Sequence, residues 1–152
     1  MTRIVIADAN CLISLHNVGE LELLRDTFDN VFTTETIANE FKNPLPDWIK
    51  VLQNMEPIVH SYFGIDLDAV EASAISIAQE IPDIVLILDD LKARRVANLL
   101  SLKFMGTLGV AIQAKQKEMI SSIRHIITKL QSAGLCISRQ IIEEALEEAG
   151  EI

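Results

Sequence analysis

Two short apolar runs end in carboxylates, and they constrain the fold more than any other feature of the chain. Residues 3–7 (Arg-Ile-Val-Ile-Ala) are followed by Asp8, and residues 84–88 (Ile-Val-Leu-Ile-Leu) by the pair Asp89–Asp90. Short runs so rich in Ile, Val and Leu predict buried strands of a parallel sheet. Because functional groups of such sheets gather outside the carboxyl ends of the strands, these distant acids can meet there.

The remaining segments alternate between extended and helical patterns. Further strands are predicted at residues 31–32, from about residue 58, and at 103–105. Helices are predicted at residues 11–15, 21–28, 35–42, 69–80, 91–102, 110–116, 120–132 and 139–149, with a short helix at 48–53 after the break at Pro44 and Pro46. This alternation predicts a three-layer α/β/α fold with a central, mostly parallel sheet. Without a linker or repeat, residues 1–152 are predicted to form one domain.

Composition narrows the class of protein. A chain of 152 residues with 49% hydrophobic and 23% charged side chains is typical of a globular domain. No apolar run approaches the roughly 18 residues that a membrane-spanning helix needs, and the first residues do not resemble a signal peptide. Cys11 and Cys136 match no zinc or redox spacing, so we expect buried free thiols and a cytoplasmic location.

Two further acids lie near apolar helix faces. At 100° per residue, Glu71 lies within about 60° of Ala74 and Ala78, and Glu40 lies about 60° from Ile37. Each acid also has a purely structural explanation. Asp8 can cap the next helix, as can Asn10, and Glu71 follows Asp68 at the spacing of a capping box.

Together the acids predict a metal site. Several carboxylates in one cleft repel one another, and each loses solvation. A divalent cation relieves both penalties, and hard Mg²⁺ or Mn²⁺ prefers oxygen ligands. Convergence of Asp8, Glu40, Glu71 and Asp89 at one sheet edge therefore favours metal-dependent chemistry over four independent caps.

The charge of −9 is unevenly distributed along the chain. Residues 1–90 carry −12, residues 91–139 carry +8, and residues 140–152 carry −5. A basic segment directly after an acidic metal site suits a phosphate-bearing substrate, with Lys92, Arg94 and Arg95 as the nearest candidates. The alternative is a set of solvated helix faces. Thr107, in a Gly-Thr-x-Gly turn, could expose N–H groups to an anion or simply cap a helix.

Five segments, in order, resemble the successive motifs of the PIN domain. They are Ile-Val-Ile-Ala-Asp-Ala-Asn-Cys-Leu-Ile-Ser-Leu (4–15), Thr-Thr-Glu-Thr-Ile-Ala-Asn-Glu-Phe (33–41), Val-Glu-Ala-Ser-Ala-Ile-Ser-Ile-Ala (70–78), Leu-Ile-Leu-Asp-Asp-Leu-Lys-Ala-Arg-Arg-Val-Ala (86–97) and Met-Gly-Thr-Leu-Gly-Val (105–110). More narrowly, the chain is similar to the VapC-like branch with a C-terminal helical extension, here residues 118–152.

The resemblance implies a metal-dependent endoribonuclease, often the toxin of a toxin–antitoxin pair. Carried over by motif, the catalytic acids are Asp8, Glu40, Glu71 and Asp89, with Asp90 as an alternative metal ligand. Asp8, Glu71 and Asp89 would hold Mg²⁺ or Mn²⁺, and Glu40 would orient a water at the metal. Substrate contacts would come from residues on the following helices and turns, namely Asn10, Lys92, Arg94, Arg95 and Thr107.

The sequence leaves two other classes open. A phosphate-handling α/β domain, such as a receiver or a haloacid-dehalogenase-like phosphatase, also uses aspartates at strand ends. A binding module without activity could keep the acidic pocket for a partner's arginine. RNA is the expected substrate, a cognate antitoxin a possible partner, and no membrane association is expected. The surplus of apolar residues in the early helices, from Leu12 to Leu24, suggests a homodimer interface.

Overall fold

A computed structural model describes residues 3–54 and 57–152 and contains a five-stranded parallel sheet. The strands are β1 (Ile4–Ala7), β2 (Asn30–Thr34), β3 (Ile49–Leu52), β6 (Val85–Ile87) and β7 (Lys103–Met105), in the spatial order β3-β2-β1-β6-β7. A separate hairpin joins β4 (Ser61–Tyr62) to β5 (Ile65–Asp66). Both acid-terminated runs are strands, and Ala7 of β1 pairs with Ile87 of β6.

Eight helices in the described parts of the chain flank the sheet. They are α1 (Ala9–Asn17), α2 (Glu22–Thr27), α3 (Glu35–Phe41), α4 (Ala69–Ala78), α5 (Leu91–Leu99), α6 (Thr107–Gln116), α7 (Ile123–Ser132) and α8 (Arg139–Glu148). Helix α3 packs against α1 and α4, and α6 packs against α2, α7 and α8. The predicted three-layer α/β/α fold is confirmed. No helix among these residues is long and apolar enough to cross a membrane.

The core explains the apolar early helices. Leu12, Leu15, Leu23 and Leu24 are buried within the chain's own core, and Ile13 is half buried. Burial of such side chains is the main favourable contribution to folding. The apolar side chains that suggested a two-fold interface are therefore buried inside the protein itself. The homodimer stays a prediction.

Two predicted elements are wrong. Residues 48–53 form no helix, because Ile49–Leu52 pairs with β2 as the edge strand β3, where only Ile49 is fully buried. The strand expected from Ile58 begins instead at Ser61, in the hairpin β4–β5. Its turn uses positive φ angles at Phe63 and Gly64, the backbone that suits two-residue hairpin loops.

The helix boundaries near the carboxyl end of the chain also differ from expectation. Helix α6 begins at Thr107 rather than at residue 110, so the Gly-Thr-x-Gly turn is already its first turn, and Gly106 is the N-cap. The interpretation of Thr107 as an N-cap is wrong. Helix α7 begins only at Ile123. Cys11 is a buried free thiol as expected, whereas Cys136 is exposed.

Glu151 fastens the last residues to α6 and α7. Its carboxylate accepts hydrogen bonds from Ser122 Oγ (2.6 Å) and the Ile123 N–H (2.7 Å), and lies 3.1 Å from Lys115 Nζ. Only 9% of this side chain is exposed. Burial alone raises the pKa, but the hydrogen bonds from Ser122 and Ile123 and the charge of Lys115 outweigh it and lower the pKa of Glu151 to about 2.

We expect Glu151→Gln to lower the free energy of unfolding at pH 7 by about 1–3 kcal/mol, because glutamine loses the charge that the lowered pKa shows to be stabilised in the fold. Because the folded pKa is depressed, this stabilisation is complete above pH ~4.5 and is lost as the pH falls towards 2. Urea denaturation of both proteins at several pH values measures it. Glu148→Gln, on the exposed face of α8, is the matched control, and an equal loss there would contradict the assignment.

Candidate active site at the carboxyl edge of the sheet

The acids that follow β1 and β6 meet at the carboxyl edge of the sheet. Because β1 and β6 are parallel neighbours, Asp8 and Asp89 emerge side by side, and the Asp8 N–H donates to the Ile87 carbonyl at 3.3 Å. The Leu88 N–H likewise donates to the Met105 carbonyl at 2.8 Å, which brings the start of α6 to the same place. Sheet pairing therefore assembles the site.

Asp8 is the buried member of the site, with 4% of its surface exposed. Its Oδ1 accepts a hydrogen bond from the Cys11 N–H at 2.9 Å and caps α1. Burial raises the pKa of Asp8 to about 7, and the charges of Asp89 and Glu71 act in the same direction, while N–H donors of Cys11 and Asp89 partly offset them. A carboxyl group whose pKa is raised by burial and by specific neighbouring charges is a candidate for a functional group.

Asp89 is held in place by Thr107. The Thr107 N–H donates to Asp89 Oδ1 at 2.9 Å, and the Thr107 hydroxyl donates to Oδ2 at 2.5 Å. Since an ionised carboxylate offers about four lone-pair sites, Asp89 keeps acceptor capacity after these two bonds. Thr107 therefore orients an acid, a role distinct from the anion binding considered for it.

Asp90 has a structural role that Asp89 does not have. Its Oδ2 accepts from the Ala93 N–H at 2.9 Å, which makes it the N-cap of α5. The two acids of the pair therefore have different contacts. Asp89 accepts hydrogen bonds from Thr107 and its charge acts on Asp8, whereas Asp90 caps α5. The charge of Asp90 also raises the pKa of Glu71, so Asp90 lies close enough to interact electrostatically with the site.

Glu71 forms a capping box at the start of α4. The Glu71 N–H donates to Asp68 Oδ1 at 2.8 Å, and Glu71 Oε2 accepts from the Asp68 N–H at a long 3.4 Å. The structural explanation is therefore realised, but it does not separate Glu71 from the site. Burial first, and then the charges of Asp68 and Asp90, raise the pKa of Glu71, and the charge of Glu71 in turn acts on Asp8.

The remaining candidates lie at the margin. Glu40 is exposed on α3. Among the described acids, the charges of Asp89 and Glu71 raise the pKa of Asp8, and Glu40 is not one of those that do. Asn10 is exposed in the first turn of α1. Lys92 and Arg95 are exposed on α5, and the charge of Lys92 lowers the pKa of Glu71, against the larger effects of burial and neighbouring acids.

Arg94 is the cation most firmly placed at the site. Its Nε donates to the Leu88 carbonyl at 2.6 Å, and its guanidinium lies 5.7 Å from the centre of the Phe104 ring. Gly106 makes this position possible. A Cβ on Gly106 would collide with the Arg94 guanidinium and lie 2.8 Å from Asp89 Oδ1. The need for glycine in the Gly-Thr-x-Gly turn is thus steric.

Most side chains of the basic segment bind an acid or a carbonyl, some between helices and others at the surface. Its members are paired as Lys103–Asp83, Lys115–Glu151, Arg124–Glu151, Lys129–Glu20 and Arg139–Glu143, and Lys117 donates to the Thr27 carbonyl. Within residues 3–54 and 57–152, Lys92, Arg94 and Arg95 enter no ion pair. Of the cations of this segment that enter no ion pair among the described residues, Lys92, Arg94 and Arg95 therefore lie together on α5, while Lys117 is bound to a carbonyl.

Cys11 is the residue at this site that sequence reasoning missed. Its thiol is fully buried beside the Thr107 side chain, and its pKa is raised by burial and by the charges of Asp8 and Asp89. The spacing of three residues from Asp8 was a usable signal, because an N-cap aspartate accepts from the N–H three positions later. Cys11 thus forms part of the floor beneath the acids.

The donor set suits a hard divalent cation, although it is not gathered into a ready-made cluster. In the described residues, no three or more His, Cys, Asp or Glu side chains converge as a metal-binding group. Each acid instead accepts a hydrogen bond from its own donor: Asp89 from the Thr107 hydroxyl, and Glu71 from the Asp68 N–H. Mutually repelling, partly desolvated carboxylates with acceptor capacity to spare are nevertheless the ligands that Mg²⁺ and Mn²⁺ prefer.

We expect Asp8→Asn to stabilise the fold in EDTA, and more so at higher pH. Asparagine keeps the helix cap but removes a buried charge. Because the folded pKa of Asp8 is raised, ionisation costs wild type stability as the pH rises from about 4 to 7, so the advantage of the variant should grow over this window to about 2–4 kcal/mol and then level off. Urea denaturation between pH 4 and 8 measures it.

Asp68→Asn is the control for this experiment, since it makes the same change at an exposed helix N-cap. We expect it to alter the free energy of unfolding by less at every pH. A destabilised Asp8→Asn protein above pH 7 would contradict the cost assigned to the buried carboxylate.

Comparison with known proteins agrees with the geometry. A family model described as a PIN domain matches residues 4–151, which is nearly the whole chain. No curated protein matches the sequence. PIN domains are generally nucleases and typically use divalent metals. On the evidence of the matched residues and the parallel sheet, the chain belongs to the PIN-domain family.

Proposed function

We propose that the protein is a metal-dependent endoribonuclease that hydrolyses phosphodiester bonds of RNA at the Asp8–Asp89 edge of the sheet. The observation that carries the proposal is the buried Asp8 carboxyl group, whose pKa is raised to about 7 beside Asp89 and Glu71. The Asp8 carboxylate does cap α1, but an asparagine would make the same cap without the cost of a buried, repelled charge. This difference favours a functional reason for an aspartate at position 8.

A Mg²⁺ or Mn²⁺ ion held by Asp8, Glu71 and Asp89, with Asp90 as the alternative ligand, would lower the pKa of the attacking water and neutralise charge on the phosphate. The chain supplies the rest. Thr107 fixes the orientation of Asp89 through two hydrogen bonds. Burial of Asp8 keeps bulk water from screening its charge. Glu40, on α3, is proposed to orient the attacking water.

The cations of α5 position the substrate in this proposal. Lys92 and Arg95 are exposed, and Arg94 is fixed beside Asp89, so a strand whose scissile phosphate lies at the acids meets positive charge along α5. Phosphate contacts of this kind fix the register of a nucleic acid without reading its sequence. Asn10 at the start of α1 is proposed as a further contact to the substrate.

The expected biological role is that of the toxin in a toxin–antitoxin pair, as in the VapC-like branch. In this role an antitoxin protein covers the site, and the chain acts in the cytoplasm as a homodimer. The C-terminal residues 118–152 then form an extension of a single PIN domain. The packing of α7 and α8 on α6 supports this description of the extension.

We expect single-stranded RNA to be cut in Mg²⁺ or Mn²⁺ and to stay intact in EDTA. Asp89→Asn and Glu71→Gln should each lower the rate roughly 100-fold or more, because each removes a charge worth several kcal/mol at the metal. Glu71→Gln keeps an acceptor for the Asp68 N–H, so its thermal stability without metal should be equal or higher. Gel analysis of labelled RNA and thermal melts measure both effects.

Glu80→Gln, at an exposed position two residues beyond the end of α4, is the control and should cut RNA normally. Hydrolysis of small phosphomonoesters in place of RNA would indicate a phosphatase, and RNA binding without cutting would indicate a binding module. Cleavage that survives both Glu71→Gln and excess EDTA would falsify the mechanism.

We expect Thr107→Val to weaken Mn²⁺ binding by about tenfold or more, because residues that orient a ligand contribute 10–100-fold to metal affinity. Valine preserves the shape but removes the hydroxyl that donates to Asp89 Oδ2. Thr107→Ser keeps that donor and should bind Mn²⁺ nearly as well as wild type. Isothermal titration calorimetry measures the three affinities, and equal affinities for the Val and Ser variants would show that Thr107 does not orient Asp89.

A further inference from the structure

A cleft of about 360 Å³ opens directly beside Asp89 and Thr107. Its apolar lining comes from Leu91 of α5, Leu108 of α6, the connection between α7 and α8 (Leu135 and Ile137) and Ile141 of α8, and Arg94 of α5 also lines it. The C-terminal helices therefore contribute to a cleft that Asp89 of the candidate active site also lines.

The side chains of this cleft are apolar yet exposed. Leu91 is 80% exposed, Ile141 51% and Leu135 39%. Exposed apolar side chains grouped in one concave region mark a binding site, since covering them releases about 25 cal/mol for each Å². The cleft also has the size and the mainly apolar lining, with few polar groups, of a site for a small ligand or for one unit of a polymer.

The charges around the cleft select the kind of occupant. Arg94 lines it with a planar guanidinium held by the Leu88 carbonyl, and Lys92 and Arg95 lie on the same helix. Of these three cations Arg94 lines the cleft itself, and Asp89 is the acid that lines it. An occupant with an apolar, flat body and a negatively charged backbone fits this combination, whereas a cationic peptide would meet the α5 cations.

We propose that this cleft is the subsite for the nucleobase next to the scissile phosphate. The inference rests on the proposed ribonuclease function, which places that phosphate at Asp8 and Asp89. An unpaired base carries flat apolar faces, and proteins hold such bases by apolar contact and by stacking on arginine guanidinium planes. Arg94 provides the plane, and Ile137 and Ile141 provide the apolar wall. The C-terminal extension thereby sets which base the enzyme prefers.

The test replaces single bases in a substrate. An RNA oligonucleotide cut by wild type is remade with one abasic nucleotide at each position around the cut. With wild type, kcat/KM should fall roughly tenfold at one position adjacent to the cut, as expected for the loss of one stacked base. With Ile141→Ala this penalty should shrink, because part of the apolar wall that contacts the base is gone, and kcat/KM on the intact RNA should fall towards its value on the abasic RNA.

Met119→Ala is the matched control, because Met119 is as exposed as Ile141 but does not line the cleft. It should keep the full abasic penalty. Circular dichroism melts verify that both variants are folded. An abasic penalty that is unchanged in Ile141→Ala overturns the proposal and leaves the apolar wall as a surface for a protein partner.

Cys136 provides an independent chemical test. It is exposed and lines the cleft, whereas Cys11 is fully buried, so iodoacetamide should alkylate the native protein at Cys136. The added group narrows the base subsite and should lower kcat/KM on the intact RNA more than on the RNA carrying the critical abasic nucleotide. In Cys136→Ser, iodoacetamide should change neither value.

These outcomes separate the two proposals. If the protein cuts RNA in a metal-dependent way, but neither Ile141→Ala nor alkylation changes the loss of kcat/KM on abasic RNA, the proposed function stands and the base subsite is wrong. A protein that neither cuts nor binds single-stranded RNA overturns both. Equal inhibition of intact and abasic substrates by alkylation also contradicts the subsite, because it indicates a general block of the active site.

Discussion

The parallel pairing of β1 with β6 is the constraint on which the site depends. The register that sets Ala7 opposite Ile87 also sets Asp8 next to Asp89, two acids separated by 81 positions in the sequence. A shift of one residue would turn every side chain of a strand to the other face of the sheet. All positions from Val5 to Ala7 and from Val85 to Ile87 are buried, so such a shift would force side chains of different size to repack on both faces of the sheet. Packing of the core thus fixes the distance between the acids.

The acids are stabilised by donors from helix N-termini. Asp8 caps α1, Asp90 caps α5, Asp68 caps α4, and Asp89 accepts from the first N–H of α6. Helix N-termini carry a partial positive charge that favours nearby anions. Four helices therefore direct this charge towards one edge of the sheet. Capping and catalysis are not competing explanations here, because the same hydrogen bonds hold the carboxylates where chemistry would need them.

The sequence predicted the layers of the fold, because hydrophobic patterns are local signals. It also predicted that Asp8, Glu71 and Asp89 lie near one another, and the charges of Asp89 and Glu71 do act on Asp8, whereas their roles at a metal stay predictions. It failed where tertiary context decides. Residues 49–52 became a strand through pairing with β2, and Cys136 became exposed through the path of the connection between α7 and α8. The orientation of Asp89 by Thr107 and the wall at Ile141 join residues far apart in the chain, which periodicity cannot reveal. The role of Glu40, exposed on α3, stays a prediction.

The three lysines that fasten helices together leave the remaining cations unevenly placed. Lys115, Lys117 and Lys129 are held by acids or by a carbonyl, whereas Lys92, Arg94 and Arg95 lie together on α5 and enter no ion pair among the described residues. In a chain with net charge −9, such a group is a place where a polyanion would be held more strongly than at the acidic parts of the surface. A polyanion that approached over α5 would therefore be favoured, and it would arrive already beside the acids at the edge of the sheet.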